Sequence, residues 1–165
     1  LVIFFLIKIS SSGPVIYWSK RVGRNNHNFL MPKFRTMHKN TPQLATHLLS
    51  DADQYLTFIG KIIRKTSLDE LPQLWSIMKG DMSFVGPRPA LFNQDNLIDL
   101  RTESDIHGLT PGLTGWAQIN GRDEISIKEK VLLDKYYLDN RSFLFDLKII
   151  SLTAVYVLSS KDLAH

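Results

Sequence analysis

Two adjacent carboxylates, Asp69 and Glu70, stand at the expected start of a helix, directly behind the cations Arg64 and Lys65. Pro72 falls in the first turn, where its missing N–H is harmless and its fixed φ suits a helix. Leu71, Leu74, Trp75 and Met78 follow at spacing i, i+3, i+4, i+7. That spacing predicts an amphipathic helix whose aromatic and methionine stripe packs in the core. Lys79 and Gly80 then supply the cation and the glycine of a helix C-terminus. The segment thus fixes a helix, its direction, and two acids at its positive end.

Neighbouring helical residues point roughly 100° apart. Asp69 and Glu70 therefore cannot face each other across a bond, and they suit two different tasks. One carboxylate can attack or take a proton while the other holds a cation. A structural account stands beside this one. Ser67-x-x-Glu70 matches a capping box, and Asp69 alone could cap the helix. The two accounts are compatible, because a helix N-terminus stabilises both an ionised aspartate and a nearby phosphate.

Val85-Gly86-Pro87-Arg88-Pro89 and Pro111-Gly112-Leu113-Thr114-Gly115-Trp116 are constrained turns. Two prolines fix the backbone around Arg88, whose planar guanidinium matches phosphate oxygens. Lys33 and Arg35 in Lys33-Phe34-Arg35-Thr36-Met37, and Arg64 ahead of the dyad, are further candidate anion ligands; each alone reads first as a surface cation. Asp146 is a candidate further acid or a helix-start aspartate.

A chain of 165 residues with 44% hydrophobic and 22% charged residues suits one folded domain. With no cysteine, disulfides and thiolate metal sites are excluded. The net charge of +4 favours anionic partners. The cations form no stripe interleaved with aromatics, so nucleic acid is not an expected partner.

The chain opens on leucine and on seven apolar residues before Lys8, too few for the ~20 that a bilayer-spanning helix needs. A fragment or processed chain is expected. Ser10-Ser11-Ser12-Gly13-Pro14 is turn chemistry, and Val15-Ile16-Tyr17-Trp18 reads as a strand. Lys20, Arg21 and Arg24 suit either lipid headgroups or a solvated loop. A second strand closes at Phe34-Arg35-Thr36-Met37, and residues 38–53 read as a mobile loop. Phe58, Ile59, Ile62 and Ile63 share a helical face. Residues 90–108 read as helical, then irregular, and 109–122 as an ordered glycine-rich loop. A helix around Ile127, Val131, Leu132 and Tyr136 precedes a final one over about 143–158, which packs on the domain or lies along a membrane surface.

These motifs, in this order, resemble the bacterial sugar transferases, and Asn120-Gly121-Arg122 and Leu133-Asp134-Lys135-Tyr136-Tyr137 extend the likeness. The resemblance implies a helix-rich α/β fold with few short strands, in a compact, membrane-associated domain. Residues 1–12 would be the end of a membrane-embedded, re-entrant helix, and 13–165 the catalytic domain with a C-terminal amphipathic helix. It implies transfer of a sugar 1-phosphate from a UDP-sugar to undecaprenyl phosphate, with release of UMP, at the cytoplasmic face of a bacterial inner membrane. Asp69 would be the nucleophile of a covalent phospho-sugar intermediate, and Glu70 a magnesium (Mg2+) ligand. Lys33, Arg35, Arg64 and Arg88 would bind the donor's phosphates or nucleotide. Such a reaction begins a lipid-linked glycan for a capsule, O-antigen, exopolysaccharide or glycoprotein. A magnesium phosphohydrolase and a non-catalytic membrane-associated protein are the rival classes, and a homo-oligomer is left open.

Overall fold

The computed structural model describes residues 2–39, 41, 52–121 and 125–159. Helices dominate: α1 (Val2–Ser10), α2 (Phe58–Lys65), α3 (Leu74–Lys79), α4 (Asp95–Glu103), α5 (Trp116–Ile119), α6 (Ile127–Asn140) and α7 (Phe143–Ser159). Strands β1 (Ile16–Val22) and β2 (Asn28–Phe34) form an antiparallel ribbon that aligns Tyr17 with Lys33. Strands β3 (Ser83–Val85) and β4 (Gly112–Thr114) pair in parallel, with α4 in the crossover between them. The expected mixed, helix-rich architecture is present. No described helix is long and apolar enough to cross a membrane.

The main core gathers Val85, Ala90, Leu97, Ile106, Leu109, Ile119, Val131, Tyr137 and Ile149, so α4, α6 and α7 close over the β3–β4 pair. A second cluster joins Ile7, Val15 and Ile63, which docks α1 on α2 through one buried isoleucine while most of α1's other apolar side chains stay exposed. The final helix packs on the domain through Ile149, leaving Phe143, Leu144 and Val155 exposed.

Several expectations need correction. The second strand ends at Phe34 instead of running through Met37, which makes only an isolated bridge to Leu56. The 109–122 loop contains β4 and α5. The 38–53 loop lies largely outside the described residues, as does Arg122. Residues Leu68–Gln73 form a 3-10 turn ahead of α3, not the first turns of one α-helix.

The largest correction concerns the apolar stripe, which is not core. Trp75 is 54% and Met78 74% exposed, and Leu71 and Leu74 are exposed as well. The side that faces inward carries Gln73 and Ser76, each 1% exposed. The segment is thus rolled with polar residues in and apolar residues out. Phe58 and Ile62 on α2 are likewise exposed, while Ile63 of the same expected face is buried.

Candidate active site

Three chain segments meet at the dyad. Contacts between β2 and the 68–73 turn bring Lys33 alongside Glu70, and its Nζ donates to Glu70 Oε1 at 2.9 Å. Arg88, from the loop after β3, donates Nη2 to the same oxygen, also at 2.9 Å. The expected capping box at Ser67 does not form. Ser67 takes a left-handed backbone (φ 54) and makes no side-chain cap bond. Glu70's carboxylate goes instead to cations 37 and 18 residues away in sequence. A capping box does occur at Ser126 and Glu129, at the start of α6.

The electrostatics divide the two acids. Burial opposes ionisation of Glu70, but Lys33 and Arg88 more than offset it and hold the carboxyl well below the usual range. Asp69 shifts the other way. Burial pushes it up and Glu70 adds to this, against the pull of Lys33, Arg64 and Arg88. No hydrogen bond or ion pair from another described residue reaches the Asp69 carboxylate. Burial also lowers Lys33, opposed by Glu70 and assisted by Arg88. The result is one charge-compensated carboxylate beside one under-solvated carboxylate, with Lys33, Arg64 and Arg88 around them.

The Arg88 loop is held by close backbone approach. A Cβ on Gly112 would collide with Gly86 N, so only glycine lets these two turns touch. Gly86 N donates to Thr114 O at 2.9 Å, and Gly112 N to Pro87 O at 3.0 Å. These bonds lace the Gly-Pro-Arg-Pro turn to the Pro-Gly-Leu-Thr-Gly turn. Trp116, next along, stacks with Tyr136 at 5.8 Å and packs against Phe145 at 5.0 Å, so it belongs to an aromatic cluster.

Of the expected site residues, Asp69, Glu70, Lys33, Arg64 and Arg88 share this neighbourhood. Arg35 is committed elsewhere: it is buried and donates to Ser11 O, Ser11 Oγ and Ser12 O at 2.8–2.9 Å, clamping the turn that follows α1. Asp146 accepts from Tyr137 Oη at 2.8 Å, which ties α7 to α6. Burial raises the Tyr137 phenol, and Asp146 adds to that shift. Arg21, read as a headgroup or loop cation, instead donates to Pro89 O at 3.1 Å and to Ser19 Oγ at 2.9 Å.

Among the described residues no group of three or more His, Cys, Asp or Glu side chains gathers to hold a metal. Glu70 is the residue that could hold a hard cation, since the Lys33 and Arg88 bonds both land on its Oε1 rather than on Oε2. Such a donor suits magnesium, which uses one or two carboxylates and completes its shell with water and substrate phosphate.

Residues 1–160 match the family described as "Bacterial sugar transferase". The chain belongs to the bacterial sugar transferase family. It is 44% identical to the sugar transferase EpsL of Bacillus subtilis, over 96% of this chain and 77% of that protein. It is 37% identical to an undecaprenyl-phosphate galactose phosphotransferase of Salmonella typhimurium, over 96% of this chain and 36% of that protein. A UDP-glucose:undecaprenyl-phosphate glucose-1-phosphate transferase of Xanthomonas campestris pv. campestris is 38% identical over 94% of this chain and 34% of its own length.

Sequence reasoning missed two buried residues of this transferase. Arg101 on α4 and Asp134 on α6 form an ion pair of 2.6 Å. A signal was present: Arg101 lies four residues after Leu97, and Asp134 three after Val131, on stripes that are otherwise apolar. A charge interrupting an apolar stripe on each of two helices points to a buried pair.

Proposed function

We propose that this sugar transferase moves a sugar 1-phosphate from a UDP-sugar to undecaprenyl phosphate through a covalent aspartyl intermediate. The observation that carries this reading is the division of labour at the dyad: Glu70 is bound by Lys33 and Arg88, while among the described residues none hydrogen-bonds the Asp69 carboxylate, which lies in the field of the same cations. An Asp69 oxygen attacks the phosphorus bonded to the sugar, the bridging P–O bond breaks, and UMP leaves with the electron pair. An acceptor phosphate oxygen then attacks the same phosphorus and breaks its bond to Asp69. Partial desolvation favours Asp69 as nucleophile, and Lys33, Arg64 and Arg88 offset the charge of the approaching diphosphate. Glu70 would hold a magnesium ion, which supplies further charge compensation when bound.

The acceptor is a membrane lipid, and the surface fits one. A segment that buries Gln73 and Ser76 while exposing Leu71, Leu74, Trp75 and Met78 is inverted for water but suited to a lipid boundary. The apolar side chains exposed on α1 and α2 extend that surface, since α1, α2 and the 68–73 turn pack in series. The inferred location is the cytoplasmic face of a bacterial inner membrane. Initiation of a lipid-linked glycan follows from the product.

The test is UMP release by the membrane-incorporated protein from a panel of UDP-sugars with magnesium, with and without undecaprenyl phosphate, beside Asp69→Asn. A burst of one equivalent without lipid, turnover with it, and silence in the variant are expected. Sustained UMP release without lipid would point to hydrolysis. Lipid-dependent turnover in Asp69→Asn would remove Asp69 as the nucleophile.

A further inference from the structure

Each nitrogen of the Arg101 guanidinium donates a hydrogen bond. Its Nε and Nη2 donate to Asp134 Oδ2 at 3.0 and 2.6 Å, and its Nη1 donates to the main-chain carbonyl of Arg88 at 2.8 Å. Arg101 and Asp134 are both buried, Asp134 to 1% exposure. Next along the chain, Pro89 O accepts from Arg21 at 3.1 Å, and Ala90 O from Val22 N at 2.9 Å. Successive carbonyls of the Arg88 loop are therefore held by Arg101 from α4 and by Arg21 and the Val22 amide from β1.

A buried ion pair is weak as a stability device, since well-packed apolar residues often serve as well. What an apolar pair could not provide is a donor aimed at the Arg88 carbonyl. The rigid guanidinium fork provides it while satisfying Asp134 at the same time. Arg88 is also the residue whose side chain reaches Glu70 at 2.9 Å.

We infer that Arg101, oriented by Asp134, is a positioning residue for sugar-phosphate transfer: it fixes the Arg88 backbone so that the Arg88 side chain is set against Glu70 and the donor phosphates. This rests on the reading of Arg88 as part of the donor site. Arg101 itself touches neither dyad carboxylate; it acts through Arg88.

The test is a double-variant cycle of Arg88→Lys and Arg101→Lys, measured as UMP release with lipid acceptor, with thermal midpoints recorded for every protein. Arg101→Lys keeps the buried cation but loses the fork. Its expected loss is about 10-fold in rate, with the same division between kcat and KM as Arg88→Lys. The double variant is expected within about two-fold of Arg88→Lys alone, because residues acting in series are not additive. Losses that multiply, or full activity in Arg101→Lys, would overturn the inference while leaving Arg88 in the donor site. Full activity in Arg88→Lys would overturn the donor-site reading itself. If Arg101→Lys does not fold, the isosteric Asp134→Asn takes its place in the same cycle, with the same outcomes.

Discussion

Lys33 and Glu70 meet at 2.9 Å although 37 residues separate them in sequence, and the bond favours the ionised form of Glu70. Lys33→Met keeps the length of the stem and removes the cation. Glu70 then loses its foremost counter-charge, and the proposed donor site loses a cation. Transfer should fall by roughly 10²-fold, in line with losses on removing one preorganised electrostatic group. Single-turnover UMP release measures it; a fall under about two-fold would separate Lys33 from the chemistry.

Glu70 gives a pH-dependent signature in the folded protein. Its carboxyl is held below its ordinary value of 4.5, so the native state favours the ionised form. The stability this contributes is fully present above that value and is lost as pH falls through and below it. In magnesium-free buffer, Glu70→Gln should be less stable than the parent near pH 7 by roughly 1–3 kcal/mol, the cost of stranding a partner. The gap should narrow below pH 4.5. Denaturant unfolding across that range gives the answer, and a gap that widens in acid would reverse the sign.

Trp75 is a test of which way the 68–79 segment faces. A buried Trp→Ala change costs about 3–5 kcal/mol. Surface substitutions stay within about 0.5 kcal/mol. Trp75→Ala should approach the smaller figure in detergent-free unfolding, yet sharply reduce retention on vesicles containing anionic lipid. A core-sized loss of stability with unchanged vesicle binding would put the stripe back in the interior.

Gly112→Ala should drive a methyl into Gly86 N and part the two laced turns. Overpacking of this kind costs about 1–3 kcal/mol. Because Arg88 rides on one of those turns, activity should fall further than the loss of folded protein explains. Circular dichroism and transfer rates on the same samples separate the two effects.

Ser126→Ala provides the contrast. It removes the capping box with Glu129 at the exposed start of α6. Stability should drop by about 1 kcal/mol. Transfer by the remaining folded protein should be unchanged.

Helices were the legible part of this fold. The apolar spacing from Ile127 to Tyr136 marks α6 but not its end at Asn140, and the long apolar run after Phe143 marks α7 to within a residue or two of its observed ends. Strands β3 and β4 have three residues each, too few for an alternating pattern to emerge. Their pairing depends on Gly86 and Gly112 touching, which no local pattern encodes. The stripe from Leu71 to Met78 was legible as a stripe, but periodicity reveals which residues share a face and not what medium the face meets. At the site, the motifs pointed to Lys33, Arg64, Asp69, Glu70 and Arg88, whereas the local Ser67-x-x-Glu70 spacing suggested a cap that long-range cations override. Arg35 carried the same motif signal as Lys33, two residues away, yet clamps the turn at Ser11 and Ser12. A sequence does not say which of two nearby cations turns toward the site.

The lacing of the two glycine turns matters for anyone recombining relatives of this enzyme. Strand β3, the Arg88 loop, α4 and β4 are joined at both ends, by Ser83 N to Pro111 O at 2.8 Å and by Gly86 N to Thr114 O at 2.9 Å. Residues 83–114 therefore form a cassette that carries both sides of this glycine fit, while Arg101 and the loop carbonyls still need Asp134, Arg21 and Val22 from outside it. A chimera that swaps the Gly-Pro-Arg-Pro turn alone inherits a foreign backbone fit against Gly112, whereas one that swaps the whole cassette brings its own.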